Sequence, residues 1–218
     1  MLEIQGLTFI KGFMARKTRL IVPGYPHHVE QRAPDLFTNT ARVCRYLLHL
    51  GEETRRFKTK VLGWCLAPDW VRLVVVPPDK EALSLLIRAA HTLYVRENNW
   101  LMDSDETLLQ ERFWSCVLSP EYVAVAVRSM EMAPVRAGAV ERPEGWPWSS
   151  ARSNLGLSSV DFLLRKREVP ELVANWREWL AMRDEPAERY LARCTRTGWP
   201  CGGKGFAEQG RQLAGLDK

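Results

Sequence analysis

The stretch Gly63–Asp79, "GWCLAPDWVRLVVVPPD", predicts two strands joined by a sharp turn. Proline and aspartate favour turns, so the corner is expected at Pro68-Asp69. After the corner, successive side chains alternate between two faces, which is typical of a half-buried strand. One face carries only apolar side chains, namely Val71, Leu73 and Val75. The other face begins with the bulky pair Trp70 and Arg72, and this pair needs an explanation.

The segments on either side of this stretch complete a ferredoxin-like order. A strand centred on His28-Val29 and an amphipathic helix precede it. A second amphipathic helix (79–98), a strand (107–118) and a helix begun by Ser119 and Pro120 follow it. The order β-α-β-β-α-β predicts an α+β fold with a four-stranded antiparallel sheet. We expect the helices on one face of the sheet, which leaves the other face free for a ligand or a second subunit.

The chain changes character from about Pro134. The segment that follows is rich in proline, glycine, tryptophan and arginine, and the residues after it suggest two short helices and a glycine-rich turn. Trp176, Trp179 and Leu180 need burial there. The sequence therefore predicts a helical C-terminal extension packed on the rest of the protein.

The composition is that of a globular protein with a moderate excess of positive charge. Of 218 residues, 46% are hydrophobic and 26% are charged, and the formal net charge is +5. This balance favours a polyanionic partner, although a solvated basic surface explains it equally well. Five irregularly spaced cysteines without a CxxC pair argue against a zinc site and for a reduced protein. With no membrane-length apolar run and no signal-peptide pattern, we expect a cytoplasmic protein.

Three stretches together resemble the REP-associated tyrosine transposases, which are single-tyrosine HUH transposases of bacterial insertion sequences. They are "VPGYPHHVEQR" (22–32), "WCLAPDWVRLVVVPPD" (64–79) and "PVRAGAVERPEGWPWSSARSNLG" (134–156). The segment "RCTRTGWPCGGKGF" (193–206) is also similar to the family's C-terminal ending. The resemblance covers nearly the whole chain from Met14. It implies an N-terminal extension with a basic arm (1–18), an HUH-fold domain (19–156) and the helical extension (157–218).

The resemblance also implies a chemistry. Family members hold Mg²⁺ or Mn²⁺ with two histidines that flank a hydrophobic residue on the central strand, together with a further ligand. The ion polarises the scissile phosphate, and a tyrosine on a following helix attacks phosphorus.

This sequence departs from that pattern at three functional positions. Trp70 and Arg72 stand where the family has histidines, and Ser129 stands where it has the tyrosine. Indole offers only an N–H donor, and guanidinium is a permanent cation that repels a metal ion. His27 and His28 do not replace the lost ligands, because neighbours on a strand point to opposite faces. We therefore expect no metal, no cofactor and no nuclease activity.

DNA binding uses other groups, and several remain. The resemblance suggests a DNA-gripping arm at Arg16, Lys17 and Arg19. Further candidates for phosphate contacts within the family-like motifs are Arg32, Arg136, Arg152 and Arg196. Arg72 could place a cation near the scissile phosphate, and Trp70 could stack on an unpaired base.

Each of these roles has a structural alternative. Trp70 could instead fill the hole left by the lost ligands while Arg72 reaches solvent. Arg136 and Arg152 could instead pair with Glu141 or Glu144.

Three functions remain open at the level of the sequence. The first is an inactive transposase-like protein that binds hairpin or single-stranded DNA. The second is a scaffold for a protein partner or a homodimer. The third is an active transposase with relocated catalytic residues.

Overall fold

The computed structural model describes residues 19–33, 39–67, 69–105 and 112–214. Within these ranges, the four strands are β1 (His27–Arg32), β2 (Lys60–Ala67), β3 (Trp70–Val76) and β4 (Trp114–Val117). The longer helices are α1 (Thr40–Arg56), α2 (Ala82–Met102), α3 (Pro120–Glu131), α7 (Glu185–Thr197) and α8 (Lys204–Ala214). Three short helices lie between α3 and α7: α4 (Ala133–Arg136), α5 (Ala151–Asn154) and α6 (Trp176–Ala181).

The strands form one antiparallel sheet in the order β2-β3-β1-β4. The predicted α+β class and the order of the elements are therefore confirmed. The strand expected at 107–118 is shorter, with β4 spanning Trp114–Val117, and residues 107–111 of that expectation lie outside the described residues. In the described ranges, no helix is long and apolar enough to cross a membrane.

Helices α1 and α2 cover one face of the sheet, as the amphipathic patterns predict. The side chain of Asn39 accepts a hydrogen bond from the Arg42 N–H, which caps α1. The apolar stripes of both helices pack on the central strands. Leu47 and Leu50 of α1 and Leu83 and Leu86 of α2 form one core with Val29 of β1 and Leu73 of β3. This face is called the α1 face below.

The opposite face is covered as well, so the expectation of a free second face is wrong. Helix α3 packs across β2 and β3, and α7 packs across β4 and α3. Cys65, Val74 and Cys116 of the sheet are buried there against α3 and the C-terminal extension. These side chains lie between the polar positions of the same face, and burying them requires a second layer of helices. This face is called the α3 face.

Gly63 sets the distance between α3 and the sheet. A Cβ atom at this position would lie 2.8 Å from Cγ2 of Val127 and 3.3 Å from Cε of Met130. Real Cβ atoms essentially never approach closer than 3.0 Å, so the contact with Val127 means that only glycine lets α3 pack on β2 at this distance.

The replacement Gly63→Ala should therefore lower the free energy of unfolding by about 1–3 kcal/mol, because the added methyl group overpacks the interface. Urea unfolding followed by circular dichroism measures this difference. Gly203→Ala is the control, because a Cβ there meets no atom within 4 Å. Equal effects of the two substitutions would contradict the packing role of Gly63.

Candidate nucleic-acid interface

The polar part of the α3 face lies on three adjacent strands. Arg72 of β3 is paired with Glu30 of β1, and Glu30 is also paired with Trp114 of β4. In the next row, Trp70 of β3 is paired with Arg32 of β1. Their positions follow from the two-residue period of the strands. The register thus places two arginines, one glutamate and two tryptophans in one patch.

A cavity of about 550 Å³ opens beside this patch, and we call it the Arg72 cavity. Glu30 and Arg72 line it from the sheet, and Ser129, Ala133, Arg136 and Ala137 line it from α3, α4 and the residue that follows. Helix α7 closes the remaining side with Glu185, Glu188, Arg189 and Ala192. Of the residues that the sequence singled out, the fold brings Arg72, Ser129 and Arg136 together at this one site.

Arg72 is not a free cation in this cavity. Its Nε atom lies 3.0 Å from Oε1 of Glu30, and both side chains are largely buried. Opposite charges on directly paired strand positions attract each other most strongly when water is largely excluded. The guanidinium also lies 5.7 Å from the ring centre of Trp70. The positive charge of Arg72 is therefore already balanced within the protein.

The positive charges on the opposite wall of the cavity are also balanced by a carboxylate. Nη2 of Arg136 lies 2.7 Å from Oε1 of Glu188, and Nε of Arg128 lies 3.4 Å from the same oxygen. Arg128 is fully buried, and within the described residues its guanidinium makes no hydrogen bond. Cζ of Arg128 also lies 4.8 Å from the ring centre of Trp179, a cation–π contact. In total, three arginines and three glutamates line the cavity.

Trp70 lies at the rim of this region and does not line the cavity. It is half-buried, and its ring centre lies 6.0 Å from that of Trp114, across β1. Both indoles are only partly covered. The pair forms an aromatic surface at the polar end of the α3 face, next to the exposed Arg32.

The remaining predicted contacts are dispersed over the molecule. Arg19 donates a hydrogen bond to the carbonyl oxygen of Phe113 and stacks on its ring. Burial and the nearby Arg112 lower the pKa of Arg19 to about 10.

Arg152 donates to the carbonyl oxygen of Glu144, while the Glu144 carboxylate pairs with another arginine, Arg177. Exposed Arg196 on α7 lies outside the Arg72 cavity. Arg16 and Lys17 lie outside the described residues.

The residues at this site do not fit a divalent metal ion. The carboxylate of Glu30 is engaged by Arg72, and no group of three or more His, Cys, Asp or Glu side chains in the described ranges could hold a metal. His27 accepts the Val22 N–H at Nε2 and bonds the Tyr25 carbonyl through Nδ1, whereas His28 Nδ1 bonds Thr195 Oγ1. Burial lowers the pKa of both imidazoles to about 4.

Sequence reasoning missed the acidic half of the site. Glu30 shares a face with Arg32, but its pairing with Arg72 depends on β1 lying next to β3, which periodicity does not reveal. Glu188 comes from the C-terminal extension, about 60 residues beyond Arg128, and no local pattern marks it.

Glu131 holds α3 in place beneath this site. Its fully buried carboxylate accepts hydrogen bonds from Ser150 Oγ at 2.6 Å, Asn154 Nδ2 at 2.6 Å and Trp176 Nε1 at 3.1 Å. These donors come from the segment around α5 and from α6, so one side chain joins three parts of the chain. Burial raises the pKa of Glu131 to about 7, against the three donors, which favour the charged form.

Comparison with known proteins identifies a solved structure with a similar fold. No protein family profile matches the chain, and no curated protein is significantly similar to it in sequence. Among solved structures, the chain is similar to a REP-associated tyrosine transposase bound to a REP hairpin. The TM-score is 0.56 and the sequence identity is 15%, over 72% of this chain and 93% of that chain. At this identity the likeness shows the fold alone, and it confirms the fold that the sequence motifs imply.

The raised pKa of Glu131 predicts a specific pH dependence of stability. Between pH 4.5 and about 7 the folded carboxyl keeps a proton that the unfolded chain releases, so its contribution to stability falls as the pH rises. Relative to Glu131→Gln, which cannot ionise, the wild-type protein should lose on the order of 3 kcal/mol over this range. Chemical unfolding at several pH values measures the difference. The buried histidines affect both proteins alike, and parallel pH profiles would contradict the assignment.

Proposed function

We propose that this protein is a catalytically inactive, transposase-like protein that binds DNA hairpins with a single-stranded foot. The observation that carries the proposal is the Arg72 cavity, where arginine–glutamate pairs occupy the place of the family's metal ligands and nucleophile. The shared fold supports it, because the transposase of that fold was solved with a REP hairpin bound.

Inactivity follows from the chemistry of the lining residues. A serine attacks phosphorus only when a neighbouring base takes its proton. The described residues lining the cavity include no histidine, and all three of its glutamates, Glu30, Glu185 and Glu188, pair with arginines. Ser129 therefore lacks an activating partner among these residues, and carboxylates engaged by arginines are poor ligands for an ion that would polarise a phosphate.

Relocated tyrosines do not offer a replacement. Tyr94 and Tyr46 are fully buried on the α1 face and pack edge to face. Tyr122 packs on Tyr190, and burial raises the pKa of both phenols, which disfavours the nucleophilic phenolate. None of these described residues lines the Arg72 cavity.

DNA would meet the aromatic surface of Trp70 and Trp114. Base stacking on indole is tolerant of sequence and is worth about 1–3 kcal/mol per base. Arg32 is exposed beside this surface and would contact the backbone of the same strand. The arm at Arg16, Lys17 and Arg19 would grip the adjoining stem, with Arg19 anchored on Phe113.

A protein partner or a homodimer is a second candidate, which one observation favours. Leu48, Trp100 and Met102 of α1 and α2 are exposed, with 81% of the surface of Trp100 accessible. A groove of about 500 Å³ beside Trp100 is lined by side chains that include His49 and Leu93. Exposed apolar patches of this kind are typical of interaction sites.

The first functional prediction concerns cleavage. Incubated with hairpin DNA and Mg²⁺ or Mn²⁺, the protein should neither nick the DNA nor form a covalent adduct, because the described residues that line the cavity include no histidine and no tyrosine. Denaturing gel electrophoresis checks both products. A DNA-linked band that survives denaturation would establish an active transposase instead.

The second functional prediction concerns binding. A hairpin with a single-stranded foot should bind more tightly than a duplex of equal length, and Trp70→Ala should weaken hairpin binding by about 1–3 kcal/mol. Fluorescence anisotropy at several salt concentrations measures both effects. Trp100→Ala is the matched control, because Trp100 lies on α2, away from the Trp70 surface.

Two outcomes would contradict this prediction. Equal, weak binding to hairpin, duplex and heparin would leave only a generic basic surface. A loss of stability in Trp70→Ala, with unchanged DNA affinity of the folded protein, would show that the indole serves packing alone.

A further inference from the structure

A second cavity lies at the edge of the sheet, away from the Arg72 cavity. It has a volume of about 330 Å³, which falls within the usual size of a small-ligand site. The end of α1, the start of β2 and the segment 163–168 form its walls. Its lining residues are Thr54, Arg55, Lys58, Thr59, Lys60, Val61, Leu163, Arg165, Lys166 and Glu168. We call it the basic cavity.

The two cavities differ sharply in charge. Five cations and one carboxylate line the basic cavity, whereas arginines and glutamates are equal in number in the Arg72 cavity. Lys60 pairs with Glu168. In the described part of the chain, the other four cations, Arg55, Lys58, Arg165 and Lys166, form no ion pair. Unpaired like charges around a concavity repel one another and focus a positive potential into it.

The dipole of α1 accounts for only some of the basic residues around this cavity. A cation in the last turn of a helix interacts favourably with the helix dipole, which accounts for Arg55 at the end of α1. Arg165 and Lys166 come from a separate segment, about 110 residues further along the chain. The fold therefore brings two basic runs, "RRFKTK" (55–60) and "RKR" (165–167), to one place.

Lys58 adds an independent observation. Its φ of 50° lies in the left-handed region, which favours glycine and costs other residues roughly 1–2 kcal/mol. It occupies the turn after α1, where its N–H bonds the carbonyl oxygen of Arg55. A lysine is held at a position where glycine would be more stable, so backbone preference does not account for its presence.

We propose that the basic cavity is a phosphate-binding site. Its ligand is a phosphate group, which either the backbone of bound DNA or a free phosphate compound can supply. Lysine ammonium and arginine guanidinium groups bind phosphate through charge-assisted hydrogen bonds, and Thr54 and Thr59 add hydroxyl groups to the wall. The inference goes beyond the proposed function, because it concerns the edge of β2. Only its DNA source depends on that function.

The test compares three proteins. Lys58→Gly with Arg165→Ala removes two cations from the basic cavity. Arg88→Ala with Arg183→Ala removes two exposed cations outside both cavities and is the charge-matched control. Replacing Lys58 by glycine also relieves the strained backbone, so the cavity variant should fold with unchanged or higher stability without ligand.

Two measurements identify the source of the phosphate. In thermal unfolding with sodium pyrophosphate at constant ionic strength, a free-phosphate site stabilises the wild type and the control as ligand concentration rises, but not the cavity variant. In DNA titrations, a backbone site makes the salt dependence of log K less steep by about 1.4–1.8 for the two lost contacts, again only in the cavity variant.

Either result supports the phosphate site and names its source. If the cavity variant and the control behave alike in both measurements, the proposal is overturned. The pyrophosphate arm requires no DNA, so its outcome is separate from the failure or success of the proposed hairpin binding.

Discussion

The architecture of the α3 face depends on one buried carboxylate. Glu131 receives three hydrogen bonds from side chains of two later segments, and it occupies the last turn of α3. Because an unsatisfied buried carboxylate is costly, these segments have to meet at the same point. Together with Gly63, which sets the distance from the sheet, Glu131 fixes α3 against β2 and so places Ser129 opposite Arg72.

The charges of the Arg72 cavity are balanced within the protein. A metal site concentrates positive charge that a substrate phosphate then balances. Here Arg72 and Arg136 are balanced by the protein's own carboxylates, Glu30 and Glu188. The pairs hold the cavity together but leave little net attraction for a phosphate. The unbalanced positive charge lies instead around the basic cavity at the edge of β2.

The periodicity of apolar residues predicted the sheet and the two helices that cover its α1 face. The alternation from Trp70 onward and the helical stripes around Leu47 and Leu86 define the sheet and the α1 face. The cover of the α3 face was not foreseen, because it depends on contacts such as Arg128 with Glu188 between distant segments. At the site, the motifs singled out Arg72, Ser129 and Arg136, whereas the glutamate partners of the two arginines follow only from the register of the strands and the docking of α7.

The burial of Arg128 links folding to the order of synthesis. Its counter-charge, Glu188, is translated roughly 60 residues later. At about 5–20 residues per second, a ribosome takes on the order of 3–12 seconds to cover that interval. During this time the guanidinium of Arg128 lacks both Glu188 and the ring of Trp179, so its burial depends on the later arrival of α6 and α7. The fully buried charge of Arg128 on α3 is therefore enclosed by a part of the chain that the ribosome makes later.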